Sequence, residues 1–407
     1  MSASTSDWLR SFSAQDGASE LLLASQERQE AAGYRHTLAE ILQQPATWLD
    51  TCERLISHAP AIRASLEDVS LIVLTGSGSS QYAGECARLA LQSELRITVE
   101  AIDSGALLTH GGRVMAPGRP ALAISLARSG DSPESVGAVS ALLETEPQVR
   151  HLVLTCNAGG SLVKTYGADR RVHTVVLDPR TNDRSLVMTS SFTNLVLAAR
   201  SLGFPGNPDA WRRLCCRLSG LCRLLIQENF GAIARVAKSG FGRAVFLGSG
   251  CRFGAAREAA LKLLEMTAGR IPAMPETYLG LRHGPMSYIQ DDTLVVCFLS
   301  SEPLGRAYES DLIRELNRKR LGKSKLLVGD GVDRDLLRPG DTAIELRGMA
   351  EAGDDNAPVL DVVAAQLLAF FRCLHEGLKP DSPSRDGVIN RVVESFTLHH
   401  RPRLAEP

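Results

Sequence analysis

The stretch Leu71-Ile-Val-Leu-Thr-Gly-Ser-Gly-Ser-Ser80 joins a short apolar run to a turn rich in glycine and serine. A short apolar run that ends in a small or polar residue is typical of a buried strand in a parallel sheet. A helical pattern begins near Gln81. The sequence therefore predicts a strand, a tight turn and a helix, which together are the first unit of an α/β fold.

The same pattern recurs along the chain. Three more apolar runs follow in the front half: Ala121-Leu-Ala-Ile-Ser-Leu126, Leu152-Val-Leu-Thr155 and Thr174-Val-Val-Leu177. Four runs repeat the pattern in the rear half: Ala244-Val-Phe-Leu-Gly248, Leu294-Val-Val-Cys-Phe-Leu299, Leu326-Leu-Val328 and Ala343-Ile-Glu-Leu346. The first turns match in detail, because Leu74-Thr-Gly-Ser-Gly78 and Phe246-Leu-Gly-Ser-Gly250 lie 172 residues apart. A repeat of that period indicates a duplicated domain.

These patterns divide the 407 residues into four parts. We predict an N-terminal helical arm over residues 1–50, a first α/β domain over 51–208, a second over 209–380 and a C-terminal tail over 381–407. The boundary between the α/β domains follows the turn-rich link Gly203-Phe-Pro-Gly-Asn-Pro208. A chain of this length is long enough for two domains with cores of their own.

Composition excludes several classes of protein. A formal net charge of −1 argues against binding nucleic acid or an anionic membrane through bulk charge. The longest clean apolar run, Leu294 to Leu299, is too short to span a bilayer, and the first residues lack the pattern of a secretory signal. Nine cysteines without a CxxC pair indicate free thiols in a reducing compartment. We therefore expect a cytoplasmic protein without nucleic-acid or membrane partners.

The turn after the first strand is a candidate anion site. Its glycines let the backbone approach an anion, and a helix N-terminus adds free N–H groups and the positive end of a dipole. The hydroxyls of Ser77, Ser79 and Ser80 add donors, which suits a phosphate monoester. Helix capping by serine and threonine is one alternative, but four such residues flanking two glycines exceed what one cap needs. A dinucleotide site is the other alternative, but the sixth position of its glycine motif is Gln81.

Two more polar turns are expected beside the first. The second contains Arg128, Ser129 and Ser132, and the proline after Ser132 predicts that a helix starts there with this serine as its N-cap. The third contains Thr189 and Ser190. Because the carboxyl ends of neighbouring strands in a doubly wound sheet form one crevice, the three turns are predicted to face one ligand.

The rear half carries a different set of polar residues. At the positions that correspond to Ser79 and Ser80, the first turn of the rear half has Cys251 and Arg252. We therefore expect the rear turn to have a structural role. Glu258, Lys262 and Glu265 follow on one helix at spacings of four and three, and they share a face. A solvated stripe with an ion pair is the alternative for such a trio. His283 lies in a loop beside glycine and proline.

From about residue 50 onward the chain resembles the proteins with tandem sugar isomerase (SIS) domains. The resemblance rests on five motifs: Gly76-Ser-Gly-Ser-Ser80, Arg128-Ser-Gly-Asp-Ser132, Thr189-Ser-Ser-Phe-Thr193, Glu258-Ala-Ala-Leu-Lys-Leu-Leu-Glu265 and Leu281-Arg-His-Gly-Pro285. The chain is most similar to the bacterial galactosamine-6-phosphate deaminase/isomerases (also called tagatose-6-phosphate aldose/ketose isomerases), and more distantly to the isomerase half of glucosamine-6-phosphate synthase. The resemblance implies two tandem flavodoxin-like domains, each with a doubly wound parallel sheet.

The resemblance also implies roles for the residues that match these motifs. Ser80, Ser129 and Ser132 match hydroxyls that hold the sugar phosphate. Glu265 matches the carboxylate that moves a proton between C1 and C2 of the sugar. His283 matches the imidazole that opens the sugar ring, often in the site of a neighbouring subunit, and this implies a homodimer or a larger homo-oligomer.

Two further matches and two departures complete the comparison with the family. Glu258 and Lys262 match supporting residues. Ala127 stands where the synthase has a phosphate-binding serine, with Arg128 beside it. Glu394 falls where the synthase has a lysine that forms a Schiff base with the sugar. We therefore predict Glu394, rather than a lysine, as an additional acid or base.

The chemistry of these residue types fits a sugar-phosphate isomerase that needs no metal and no cofactor. Ring opening calls for a group that titrates near neutral pH, and proton transfer calls for a carboxyl group whose pKa is raised by burial. The first hypothesis is a deaminating aldose–ketose isomerase that converts galactosamine 6-phosphate and water into tagatose 6-phosphate and ammonia. The alternatives are an isomerase without ammonia loss, a glucosamine-6-phosphate deaminase, a deglycase and a non-catalytic sugar-phosphate sensor.

Overall fold

The computed structural model describes residues 19–384, 387–394 and 396–399. Its strands are β1 Leu71–Gly76, β2 Thr98–Asp103, β3 Ala121–Ala127, β4 Val149–Thr155, β5 Val172–Val176, β6 Arg243–Leu247, β7 Ala273–Glu276, β8 Thr293–Phe298, β9 Ser324–Gly329 and β10 Thr342–Glu345. Its α-helices are α1 Ser19–Leu22, α2 Gln26–Ala32, α3 Arg35–Leu66, α4 Ser79–Leu95, α5 Ser104–His110, α6 Pro133–Thr145, α7 Ser161–Tyr166, α8 Ser190–Arg200, α9 Pro208–Ala237, α10 Cys251–Met266, α11 Pro303–Arg318, α12 Met349–Ala352 and α13 Pro358–His375.

The described strands form two five-stranded sheets of the same topology. The strand order is β2-β1-β3-β4-β5 in the front sheet and β7-β6-β8-β9-β10 in the rear sheet, and neighbouring strands run parallel. The chain reverses its direction of winding at β1 and at β6, so each sheet has a crevice at the carboxyl ends of its central strands. The predicted pair of flavodoxin-like, doubly wound domains is confirmed.

The apolar runs in the sequence become the central strands. Every residue of β1, β3 and β8 is buried, as expected for strands that helices cover on both faces. The strand β7 gave no such signal in the sequence. It has four half-buried residues, includes Pro275 and lies at the edge of its sheet, where proline is tolerated.

The two halves pack against each other through equivalent helices. The helix after the first turn of the front half, α4, lies against its counterpart α10 in the rear half. The approach is close at Gly254, where an added Cβ would lie 2.7 Å from the backbone nitrogen of Cys86. A residue larger than glycine would push the helices apart. This contact brings the polar face of α10 next to the first turn of the front half.

The N-terminal arm and the C-terminal tail are tied to the domains. The helix α3 crosses the predicted boundary between residues 50 and 51 and packs on α8 and α9. The carboxylate of Asp381 accepts hydrogen bonds from the backbone N–H groups of His36 and Thr37, at 3.1 and 2.7 Å. Residues 1–18 of the arm and 400–407 of the tail lie outside the described residues.

One helix of the described chain, α13, is long and apolar enough to cross a membrane. It is 89% buried inside the protein, where it packs between α9 and α10, and this is how a core helix behaves. The sequence analysis overlooked it because Asp361, Gln366 and Arg372 interrupt its apolar run.

Side chains of the protein itself fill the crevice of the rear sheet. The guanidinium of Arg252 donates to both carboxylate oxygens of Asp361, at 2.8 and 2.6 Å, and also to the carbonyl of Leu299. Asp354 accepts from the backbone N–H of Ser301 at 2.8 Å and from the hydroxyl of Ser300. An ion-pair network therefore occupies the position where the front half has its serine-rich turns.

This network predicts a large loss of stability on removing one partner. The substitution Asp361→Ala leaves Arg252 buried without its bidentate carboxylate, and both side chains are at most 1% exposed. We expect the free energy of unfolding to fall by about 3–5 kcal/mol, measured by urea denaturation. The control Asp335→Ala, which breaks the exposed pair with Arg314, is expected to change it by less than about 1 kcal/mol. Equal losses in both variants would contradict this assignment.

Candidate active site

A cavity of about 600 Å³ lies at the carboxyl ends of β1 and β3 and extends to the face of α10. Nine of the residues singled out in the sequence line it: Ser77, Ser79, Ser80, Arg128, Ser129, Ser132, Lys262, Glu265 and Glu394. The front domain, the rear helix and the C-terminal tail thus each contribute to one space.

The first turn presents its hydroxyls at a helix N-terminus. The helix α4 begins at Ser79, two residues before the predicted start, after Gly78 with a φ of +56°. An added Cβ at Gly76 would lie 2.6 Å from the Cβ of Ser80, so only glycine fits there. The hydroxyl of Ser77 is buried and has no hydrogen-bond partner among the described residues. A buried donor of this kind is available for a ligand.

The second turn has the predicted form. Ser132 is the N-cap residue of α6, and Pro133 occupies the first helical position. The hydroxyl of Ser132 donates to that of Ser135 at 2.8 Å, and the hydroxyl of Ser129 accepts from the backbone N–H of Asp131 at 3.2 Å. Both serines therefore face the cavity beside a second helix N-terminus.

Arg128 lines the cavity, and both of its terminal nitrogens donate to backbone carbonyls. The side chain donates to the carbonyl of Leu186 at 2.8 Å and to the carbonyl of Arg391 in the tail. Burial lowers the pKa of Arg128 from its usual value. The guanidinium supplies positive charge near the second turn, and its hydrogen bonds hold the backbone at Leu186 and at Arg391.

The structure does not bring Thr189 and Ser190 to the cavity. Both are fully buried. The N–H of Thr189 and the hydroxyl of Ser190 donate to the carboxylate of Asp183, at 2.8 and 2.5 Å. The cavity wall here is formed instead by Leu186 and Met188.

Two buried carboxyl groups support this third turn, and the sequence analysis missed both. Glu40 of α3 accepts from the backbone N–H groups of Arg184 and Ser185, at 2.5 and 3.2 Å. Burial, with the nearby charge of Asp183, raises the pKa of Glu40 to about 7. The second group is Asp183, which the sequence shows only as an acidic residue just before a polar turn. Nothing in the sequence links Asp183 to Glu40, which lies 143 residues earlier.

The polar face of α10 is buried, which excludes the solvated stripe considered from the sequence. Glu258 and Lys262 are 0% exposed, and the side chain of Glu265 is 22% exposed. The ammonium of Lys262 lies 3.3 Å from Oε1 of Glu258 and donates to Oε2 of Glu265. It also donates to the hydroxyl of Ser79 at 3.1 Å. Lys262 therefore connects the rear helix with the first turn of the front half.

Burial and the neighbouring charges shift the pKa values of Glu258 and Lys262. Burial raises the pKa of Glu258 to about 7. Burial also opposes the charge of Lys262, but the two neighbouring carboxylates outweigh it and raise the pKa of the ammonium above its usual value. Lys262 is therefore charged at neutral pH and holds Glu265 at the cavity.

His283 does not reach the cavity of its own chain. It is exposed and follows the short helical turn Gly280–Arg282. Glu394 does line the cavity, in the tail, and accepts from the side-chain amide of Asn390 at 3.2 Å. Among the described residues no group of three or more His, Cys, Asp or Glu side chains is arranged to hold a metal. Of the adjacent histidines His399 and His400 in the tail, His400 lies outside the described residues.

Comparison with known proteins identifies the family. No protein-family model matches the chain. The chain is 36% identical over 378 residues to an AgaS protein of Streptomyces coelicolor, covering 89% of this chain and 95% of the relative. It is 33% identical over 370 residues to the D-galactosamine-6-phosphate deaminase AgaS of Escherichia coli, with the same coverage of both chains. A solved tagatose-6-phosphate ketose/aldose isomerase from Escherichia coli matches with a TM-score of 0.78 and 32% identity, over 85% of this chain and 95% of that one.

Two doubly wound domains in tandem, with a cavity at the crevice of the front sheet, place the chain in the class of tandem SIS domain proteins. Within this class the chain belongs to the AgaS family, because its identity to AgaS proteins extends over most of both chains.

The raised pKa of Glu258 predicts a pH dependence of stability. The pKa of Glu258 in the folded protein is about 7, whereas the ordinary pKa of a glutamate side chain is 4.5. Between these values the folded state binds the extra proton, so wild-type stability falls as the pH rises through this window. The substitution Glu258→Gln removes this loss. We expect the stability of the variant relative to wild type to increase by about 3 kcal/mol from pH 4.5 to pH 7.

The measurement is urea denaturation of both proteins across this pH range. Glu40, whose pKa is also raised, remains in both proteins, so their difference isolates Glu258. The control Glu228→Gln, at an exposed position on α9, should give a difference that does not depend on pH. A pH-independent difference between wild type and Glu258→Gln would refute the assignment.

Proposed function

We propose that the protein is a deaminating aldose–ketose isomerase that converts galactosamine 6-phosphate and water into tagatose 6-phosphate and ammonia. The observation that carries the proposal is the single cavity in which two serine-rich helix N-termini face the buried Lys262 and the carboxylate of Glu265. The AgaS relative of Escherichia coli, a D-galactosamine-6-phosphate deaminase, supports the amino sugar as substrate.

The phosphate end of the substrate is assigned to the front half. Ser77, Ser80, Ser129 and Ser132 offer hydroxyls around the cavity, and α4 and α6 point their N-termini toward it. Free backbone N–H groups and the helix dipole favour an anion at such a place. The positive charge of Arg128 adds to this preference.

Proton transfer is assigned to Glu265. In the opened sugar, the carboxylate takes the proton from C2 and returns it to C1, while a proton from the C2 amine ends on O1, so that the C1 aldehyde becomes an alcohol and the C2 amine becomes an imine. Water then adds to C2, and ammonia leaves as the ketose forms, so the overall reaction is also a hydrolysis. Lys262 donates a hydrogen bond that holds the carboxylate of Glu265, and Glu258 lies at ion-pair distance from Lys262. A carboxylate held in place beside the reacting carbon is an efficient base for this step.

Ring opening is assigned to His283 of a second copy of the chain. In its own chain the imidazole is exposed and away from the cavity, so it is free to enter the site of a neighbour. This assignment makes the protein a homodimer or a larger homo-oligomer. We also propose that it acts in the cytoplasm, in keeping with a small sugar phosphate as its only partner.

The substitution Glu265→Gln tests the proton-transfer step. It keeps the shape and the position of the side chain but removes the base. We expect the rate of ammonia release from galactosamine 6-phosphate to fall by about 100- to 10,000-fold. Binding of tagatose 6-phosphate, measured by calorimetry, should stay within about threefold of wild type because Glu265 does not hold the phosphate.

A matched control for this variant is Glu228→Gln, at an exposed position outside the cavity, which should keep wild-type turnover. Retained ammonia release by Glu265→Gln would exclude Glu265 as the base. If wild type isomerises neutral aldose phosphates but releases no ammonia from any hexosamine 6-phosphate, the isomerase without ammonia loss replaces this proposal.

The shared site predicts complementation between two inactive variants. In a mixed dimer of Glu265→Gln and His283→Ala chains, one of the two sites combines an intact Glu265 with an intact His283. Statistical mixing should therefore restore about a quarter of wild-type activity. The assay mixes the purified variants under conditions that exchange subunits. No activity in a mixture shown by native mass spectrometry to contain mixed oligomers would contradict a shared site.

A further inference from the structure

Arg128 is an unusual cation for its degree of burial. The residue is only 9% exposed, and none of the ion pairs between described residues includes it, although the charges of Asp183, Glu265 and Glu40 act on it from farther away. Charged groups buried to this degree are normally paired. The partners of this guanidinium are instead the carbonyl groups of Leu186, at 2.8 Å, and of Arg391.

The second of these partners belongs to the C-terminal tail. Arg391 in turn donates to the carbonyl of Asp183 and to Oδ1 of Asn182, both at 2.6 Å. The two arginines therefore form a chain of hydrogen bonds from the second turn through the tail to the segment before α8. We call Arg128 and Arg391 the arginine clasp.

Apolar packing fixes only part of the tail. Residues 387–394 line the cavity, where Val388 is 84% exposed and Val393 is 53% exposed, while Val392 is half-buried. The hydrogen bonds of the arginine clasp tie this segment to the second turn and to the segment before α8. Glu394 lies at the end of the segment 387–394.

We propose that Arg128 is a positioning residue that uses the arginine clasp to hold the C-terminal segment, and with it Glu394, over the bound sugar phosphate. The inference rests on the proposed function for the nature of the ligand. It differs from the expectation that Arg128 simply binds the phosphate, since both of its terminal nitrogens donate to backbone carbonyls.

The clasp couples the tail to the occupancy of the phosphate site. A phosphate beside Ser129 lies next to the buried charge of Arg128 and lowers the free-energy cost of keeping that charge buried. Anion binding therefore stabilises the arrangement in which Arg128 also holds the tail. Thermodynamic reciprocity requires that the ordered tail raises the affinity for the anion in return.

Hydrogen–deuterium exchange of the segment 387–394 tests the clasp without any substrate. Inorganic phosphate at constant ionic strength serves as the probe. In wild type we expect phosphate to slow exchange in this segment. In Arg128→Gln and Arg391→Gln, exchange should be about tenfold faster than in wild type, and phosphate should no longer slow it. The control Arg213→Gln, at an exposed position on α9, should behave as wild type.

The variant Arg128→Lys separates charge from hydrogen bonding. Lysine keeps the positive charge but cannot reach two carbonyls with the fixed fork of a guanidinium. We expect its affinity for phosphate to fall by no more than the factor by which phosphate slows tail exchange in wild type, while exchange in the tail becomes as fast as in Arg128→Gln. Tail exchange equal to wild type in Arg128→Gln would overturn the proposal.

Kinetics give a second readout that a merely structural role would not produce. Arg391 lies in the tail and not in the serine-rich turns, so Arg391→Gln should lower kcat, and it should raise the inhibition constant of inorganic phosphate by no more than the factor by which phosphate slows tail exchange in wild type. Unchanged kcat in Arg391→Gln would overturn the role of the clasp in turnover. Failure of the deaminase proposal appears separately, as absence of ammonia release in wild type, and leaves the exchange result intact.

Discussion

The ammonium of Lys262, buried between two carboxylates and a serine hydroxyl, is the interaction on which the site depends. It belongs to a helix of the rear domain but donates to Ser79 in the first turn of the front domain. A buried ammonium is stable only if anionic partners compensate for the lost hydration; Glu265 does so, and Glu258 adds its charge once it has lost its proton. The same contacts direct Glu265 into the cavity beside the serine-rich turns.

The two domains share one topology, but their crevices differ in what occupies them. In the front half, small hydroxyl residues leave space at the strand ends, and the cavity is open. In the rear half, Arg252 fills the equivalent place and is neutralised by Asp361. One half of the chain thus binds the ligand, while the other supplies a rigid helix whose polar face completes the site.

The sequence predicted the features that depend on local pattern. Buried strands appear as apolar runs, the repeat was visible in the two first turns, and a serine before a proline marked the start of α6. Features that depend on distant pairing were not predictable. Asp183 takes the hydroxyl of Ser190 away from the cavity, and Arg128 bonds to a carbonyl 263 residues away. Burial of Glu258 and Lys262 follows from the packing of two domains, which helical spacing alone does not reveal.

A crystal structure of the Glu265→Gln variant with galactosamine 6-phosphate tests the central claim most directly. The account predicts the phosphate within hydrogen-bond distance of the Ser129 and Ser132 hydroxyls, and the C1–C2 bond about 3–3.5 Å from the amide at position 265. A phosphate bound away from these serines, or a sugar whose first two carbons lie far from position 265 in every subunit, would contradict it.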